Sequence, residues 1–225
     1  MSKNNPRKSL PPAKGFLDFG NVHENNELHY SILSLLKAII AFVWADHMDW
    51  FFGVDLAIYQ HYNQPPIIPD AFLSLGVERI VEEDLRLSYD LCEEKRVPIM
   101  TLEVIFDELR DEFSTKKEFY TQLEVLYYAI YNPQRQRTAT LTVYRLVNGK
   151  YQLQRGNPVW LPEIGLGIGS ERGTYQGITR EWLYWYNEQG KRLLTPEERV
   201  QQAEQRAQIL AERLKSLGVD PDSLV

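Results

Sequence analysis

A chain of 225 residues that is 44% hydrophobic, with 13 Tyr, 9 Phe and 5 Trp, has the apolar surface for one sizeable core with extensions. Its single cysteine, Cys92, excludes a disulfide framework and a cysteine-built zinc site, and its four histidines show no ligand spacing. The net charge is −6, while the first fourteen residues hold four cations (Lys3, Arg7, Lys8, Lys14) and no acid, so the body is more acidic still, which argues against a broad nucleic-acid-binding face.

In chain order, residues 1–24 read as a basic, Pro-rich flexible tail, with no apolar signal core behind it. A helix follows, with Leu28, Ile32, Leu35, Leu36 and Ile39 at helical spacing and Asn25 or Asn26 as its cap. The longest apolar run, from Ile32 to Trp44, carries Lys37 and is too short to span a bilayer, so the expectation is a soluble cytoplasmic protein. "WFFGVDLAIYQHY" then predicts one strand, "NQPPIIPD" breaks it, and "AFLSLGV" opens a second strand just after Asp70. The charged stretch from Val81 to Pro98 reads as a loop, and "IMTLEVI" as the next strand.

A helix is expected from about Asp111 to Leu123, then a buried strand in "VLYYAIYNP" and a hairpin turning at Asn148-Gly149. Further β structure is expected beyond Gly165, with a turn at Gln189-Gly190. A last helix begins at Thr195, which can cap it, with Pro196 at the first helical position and Glu197 and Glu198 in the first turn. Val200, Ala203, Ala207, Leu210 and Leu214 keep a heptad rhythm along it. That pattern fits either packing on its own domain or self-association into a homo-oligomer such as a dimer. The division is a tail (1–24), a main α/β domain (25–194) and a C-terminal helix (195–225), the domain being a mixed sheet with helices against it.

One residue breaks the apolar pattern. Glu103 stands among Leu102, Val104 and Ile105, and an ionised carboxylate in such a strand needs a cationic partner, a proton or a metal ion. Asp70, at the start of a neighbouring strand, poses the same question. Two carboxylates at adjacent strand ends make an oxygen-rich site suited to Mg²⁺ or Mn²⁺. Lys116 and Tyr120 are four apart on the following helix and share a face, whereas Lys117 is turned about 100° from Lys116, so only one of the two lysines is expected to face the acids. The Gly-rich "GLGIGSERG" lacks the lysine and following helix of a phosphate loop.

The segments "NELHYSILSLL", "WADHMDWFFGVDLAIY", "PDAFLSLGVER", "PIMTLEV", "RDEFSTKKEFYTQLEVLYYAIYNP", "VYRLVNGKYQLQ", "PEIGLGIGSERGTYQG" and "REWLYWYNEQGKRLLTPEER" together resemble a restriction-endonuclease family abundant in cyanobacteria, within the PD-(D/E)XK nuclease superfamily. The resemblance implies a restriction-endonuclease-like αβββαβ core with a β-rich C-terminal extension, binding Mg²⁺ and hydrolysing DNA phosphodiesters. It casts Asp70 and Glu103 as metal ligands and Lys116 as the catalytic lysine displaced onto the helix, with Lys117 as its alternative and Glu27 as an additional carboxylate. One departure stands out. Relatives carry a small, hydroxyl-rich turn after the glutamate, where this chain has Phe106-Asp107-Glu108-Leu109. Phe and Leu cannot hydrogen-bond a phosphate, and two extra acids repel one. Reduced activity is therefore an expectation beside the active enzyme, and a catalytically inactive interaction module is the alternative.

Overall fold

The computed structural model describes residues 27–61, 63–80, 86–106, 111–133 and 141–221. The expected tail and the helix cap at Asn25 or Asn26 lie outside them. Helix α1 (Glu27–Val43) is amphipathic, and Ile32, Leu33, Leu35, Leu36, Ile39 and Ile40 are its buried stripe. Strands β1 (Trp50–Val54), β3 (Ala71–Leu75), β5 (Met100–Val104), β6 (Tyr127–Tyr131), β7 (Leu141–Val147) and β8 (Lys150–Gln154) form one six-stranded sheet in the order β1-β3-β5-β6-β7-β8. Only β5 and β6 run parallel in that sheet. A parallel pair needs a long crossover, and helix α3 (Asp111–Gln122) supplies it. The order helix, three strands, helix, strand is the expected one, and the sheet is mixed.

Two expectations need correction. The strand expected from Trp50 to Tyr62 stops at Val54, because Asp55 has a positive φ of 46° and turns the chain; only the short β2 (Ile58–Tyr59) follows. The loop expected from Val81 to Pro98 holds β4 (Tyr89–Asp90), paired in parallel with β2, and the one-turn α2 (Leu91–Glu94) capped by the Asp90 carboxylate. A two-residue strand and a four-residue helix are too short to impose a period on the sequence.

β5 and β6 are buried at every position, so they read as continuous apolar runs. Their side chains still alternate between two cores. Ala71, Leu73, Met100, Leu102, Val104, Tyr127, Ala129 and Tyr131 join the cluster on the α1 side. Phe72, Tyr128 and Ile130 join Tyr120 and Leu123 of α3 in the cluster on the other side. Each large apolar side chain buried this way contributes about 1.5–3 kcal/mol.

The C-terminal β structure is a second sheet, β9 (Val159–Leu161), β10 (Leu166–Tyr175) and β11 (Ile178–Tyr186), in the order β11-β10-β9. Gln176 and Gly177 make the β10–β11 turn with φ of 48° and 78°, and Asn148 and Gly149 make the β7–β8 turn with φ of 50° and 74°, the primed geometry that a tight hairpin needs. α1 lies between the two sheets: its buried stripe packs with residues of both, and the Trp185 indole donates to the Leu36 carbonyl at 3.1 Å. Helix α4 (Pro196–Ser216) starts as expected, with a capping box in which Glu198 N–H donates to Thr195 Oγ1 and Thr195 N–H to Glu198 Oε2. No helix among the described residues is long and apolar enough to cross a membrane.

Candidate active site

The antiparallel register pairs Ala71 with Leu102, so one step further Asp70 stands opposite Glu103. Asp70 is held at this strand end by its neighbours. Its Oδ2 accepts the Val104 N–H at 2.6 Å, and its carbonyl accepts the Asp55 N–H at 3.0 Å. The first bond fixes the carboxylate against β5; the second brings Asp55 alongside.

Glu103 is 2% exposed, as deep as the apolar core around it. Its carboxylate is nonetheless fully served. Lys116 Nζ donates to Oε2 at 2.8 Å and Tyr120 Oη to Oε1 at 2.6 Å. The four-residue spacing on α3 delivers both donors to one carboxylate. Lys116 Nζ also lies 3.4 Å from the Ile68 carbonyl, just upstream of Asp70. Burial pushes the Glu103 carboxyl up to about 7; the Lys116 charge and the hydrogen bonds from Lys116 and Tyr120 hold it down, and the Asp70 charge raises it. Burial, together with the charge of Glu103, raises the Tyr120 hydroxyl well above its usual range, so it stays a donor.

The two lysines separate as their spacing requires. Lys116 faces Glu103, whereas Lys117 Nζ sits 3.7 Å over the Tyr144 ring. Glu27, the first residue of α1, is exposed, and the α1 side chain that reaches the site is His29, two residues later. His29 is buried, with Nε2 3.6 Å from Asp70 Oδ1. Burial would lower its imidazole, but the Asp70 contact and the charges of Asp70, Asp55 and Glu103 outweigh it, and the net shift is upward. His29, the exposed Asp55 and Asp70 each offer a ligand atom within 4.8 Å of the others, a donor set that fits a divalent cation. Of the altered turn, Phe106 packs partly buried on the α1-side core; Asp107, Glu108 and Leu109 lie outside the described residues.

Reading the residues singly misses His29 and Asp55. A polar residue on the apolar stripe of α1 was the available signal for His29. Asp55 gave none, because only its left-handed backbone and the bond to Asp70 bring it in.

A mixed sheet with a helix across its parallel pair, and acids at adjacent strand ends, defines the restriction-endonuclease-like class of nuclease folds. The chain belongs to the Uma2 family: its family model, described as "Putative restriction endonuclease", matches residues 20–171. Among solved structures, the chain is similar to one described as a putative nuclease belonging to DUF820 from Anabaena variabilis, with 15% identity and a TM-score of 0.47, covering 61% of this chain and 74% of that one. No curated protein matches the chain.

Proposed function

We propose that this protein is a metal-dependent DNA endonuclease of the cytoplasm, adding water across one P–O ester bond of the backbone. Asp70 and Glu103 are the acids that bind Mg²⁺ or Mn²⁺. Such an ion, when bound, polarises a phosphate oxygen and acidifies water. Lys116 is the catalytic lysine: an ammonium beside Glu103 can donate to a phosphate oxygen or hold the attacking water. Tyr120 positions Glu103 from the other side. The observation that carries the reading is a fully buried strand glutamate, opposite Asp70 and met by a lysine from the crossover helix. Purified full-length chain should nick supercoiled plasmid with Mg²⁺ or Mn²⁺, and Asp70→Ala and Glu103→Ala should each lower the rate by about 100-fold or more. Equal cleavage by wild type and both variants would overturn the assignment.

A second reading, an assembly module with or without activity, is favoured by α4. This helix buries none of its side chains, and Val200, Ile209 and Leu210 are 58%, 65% and 55% exposed. In the heptad that places Val200, Ala203, Ala207, Leu210 and Leu214 on the seam, Arg199, Arg206 and Arg213 flank one side and Glu204 the other. On this reading the assembly is a homodimer joined through that seam. Light scattering of the full chain should give twice the monomer mass, falling to the monomer on truncation after Arg192; an unchanged mass would rule out α4 as the seam.

A further inference from the structure

Three segments distant in sequence converge on one face of Asp70. His29 comes from the buried side of α1, Asp55 from the turn that ends β1, and Asp70 from the entry to β3. Each is fixed by the fold. His29 is 5% exposed and held within the α1 packing. Asp55 sits in a left-handed conformation, which an aspartate tolerates better than most residues, and its N–H is tied to the Asp70 carbonyl. Asp70 has one oxygen committed to the Val104 N–H, which leaves Oδ1 turned toward His29.

We infer that His29 and Asp55 are ligands of the bound cation together with Asp70, so that the ion takes an imidazole nitrogen as well as oxygens. This rests on the reading of Asp70 as a cation ligand and says what completes its sphere. The dimensions fit. An octahedral site with bonds of about 2.1–2.2 Å separates its ligand atoms by about 3 Å when adjacent and about 4.4 Å when opposite. The three candidate atoms lie within 4.8 Å of one another, with His29 and Asp70 3.6 Å apart, between the two spacings, so side-chain rotation rather than backbone movement would seat an ion among them.

Glu103 accepts one hydrogen bond at each oxygen, from Lys116 and Tyr120, and each oxygen keeps a lone pair for the ion. It contributes charge from the α3 side of the sheet, and the nitrogen ligand comes from the α1 side. Mg²⁺ demands oxygen and gives up water reluctantly, so an imidazole in the ligand set shifts preference toward first-row transition ions, of which Mn²⁺ is the hardest but still takes nitrogen more readily than Mg²⁺. The inference therefore names Mn²⁺ as the better-bound ion of the two.

The test is pulsed electron paramagnetic resonance of Mn²⁺ bound to the full chain without DNA, which detects a directly coordinated ¹⁴N, with Kd measured by titration. Wild type should show imidazole nitrogen modulation and bind Mn²⁺ at least tenfold more tightly than Mg²⁺. His29→Gln should lose the nitrogen signal and weaken Mn²⁺ binding about tenfold; Asp55→Asn should weaken binding similarly while keeping the signal. The wild-type spectrum decides even if a variant folds poorly. Bound Mn²⁺ without nitrogen modulation, or no bound Mn²⁺ at millimolar concentration, overturns the inference. Plasmid cleavage that needs Asp70 would stand in the first case, so the two readings fail separately. Nitrogen modulation without cleavage would uphold the ligand set and remove the nuclease.

Discussion

Two carboxylate–cation pairs in this molecule use the same chemistry under opposite conditions. Glu103 and Lys116 meet in the core, where their side chains are 2% and 14% exposed. Glu198 and Arg192 meet at the start of α4, where the exposures are 29% and 19%. The second pair is the better saturated. Arg192 grips both Glu198 oxygens at 2.7 and 2.8 Å, reaches Glu171 Oε1 at 3.2 Å and lies over the Tyr184 ring. Accordingly the Glu198 carboxyl is held below its usual range, chiefly by the Arg192 hydrogen bonds, while that of Glu103 is pushed up to about 7 despite its own lysine. Burial, more than the presence of a partner, decides the direction. An acid stationed where its charge is costly is poor structural cement, whereas the cap pair is good cement and has no chemistry to do.

The sharpest way to break this comparison is Lys116→Met. It strands a buried carboxylate and should cost about 3–5 kcal/mol in thermal or urea unfolding near pH 8. The sign with pH follows from the raised carboxyl. The folded state binds the proton more tightly than the unfolded chain, so the contribution of Glu103 is most favourable below about 4.5 and is lost as pH rises through about 7. The Lys116→Met penalty should therefore shrink toward pH 5, and Glu103→Gln in the same chain should remove the pH dependence. A penalty equal at both pH values would show that Glu103 is not the group responsible.

Arg192→Ala should cost less, about 1 kcal/mol, because water already screens the pair, and Thr195→Ala a similar amount through the lost cap. Here the sign reverses. The depressed Glu198 carboxyl stabilises above its usual range, and that stability is lost as pH falls through its lowered pKa. Helix content followed by circular dichroism should thus decline on acidification in wild type and change less in Glu198→Gln. The smallest effect belongs to Lys117→Ala, which removes a half-buried contact with the Tyr144 ring worth about 0.5–1 kcal/mol. It should leave plasmid cleavage within about twofold of wild type while Lys116→Ala abolishes it. Similar losses from both would break the assignment of roles to the two lysines.

What the sequence made legible follows from where the physics is local. Glu103 shows because a charge in an apolar strand violates a two-residue rule, and Lys116 with Tyr120 because helix spacing puts them on one face. The sheet order is legible because β5 and β6 are long apolar runs parted by a helical segment. The end of β1 is hidden, because a single left-handed aspartate inside an aromatic and β-branched run leaves no compositional trace. β4 and α2 are hidden by their brevity. His29 shows only as a polar residue on the apolar stripe of α1, and Asp55 becomes visible only through its contact with Asp70, which no spacing rule anticipates.

The indole of Trp185, bonded to the backbone of α1 across 149 positions, has a practical corollary. The family match stops at residue 171, partway along β10, yet Trp182, Leu183, Tyr184 and Trp185 beyond it are among the most deeply enclosed side chains. A fragment trimmed to the family's borders would leave α1 with no floor on one side, and His29 would lose its footing with it. Anyone shortening this protein for expression should keep the last hairpin whole.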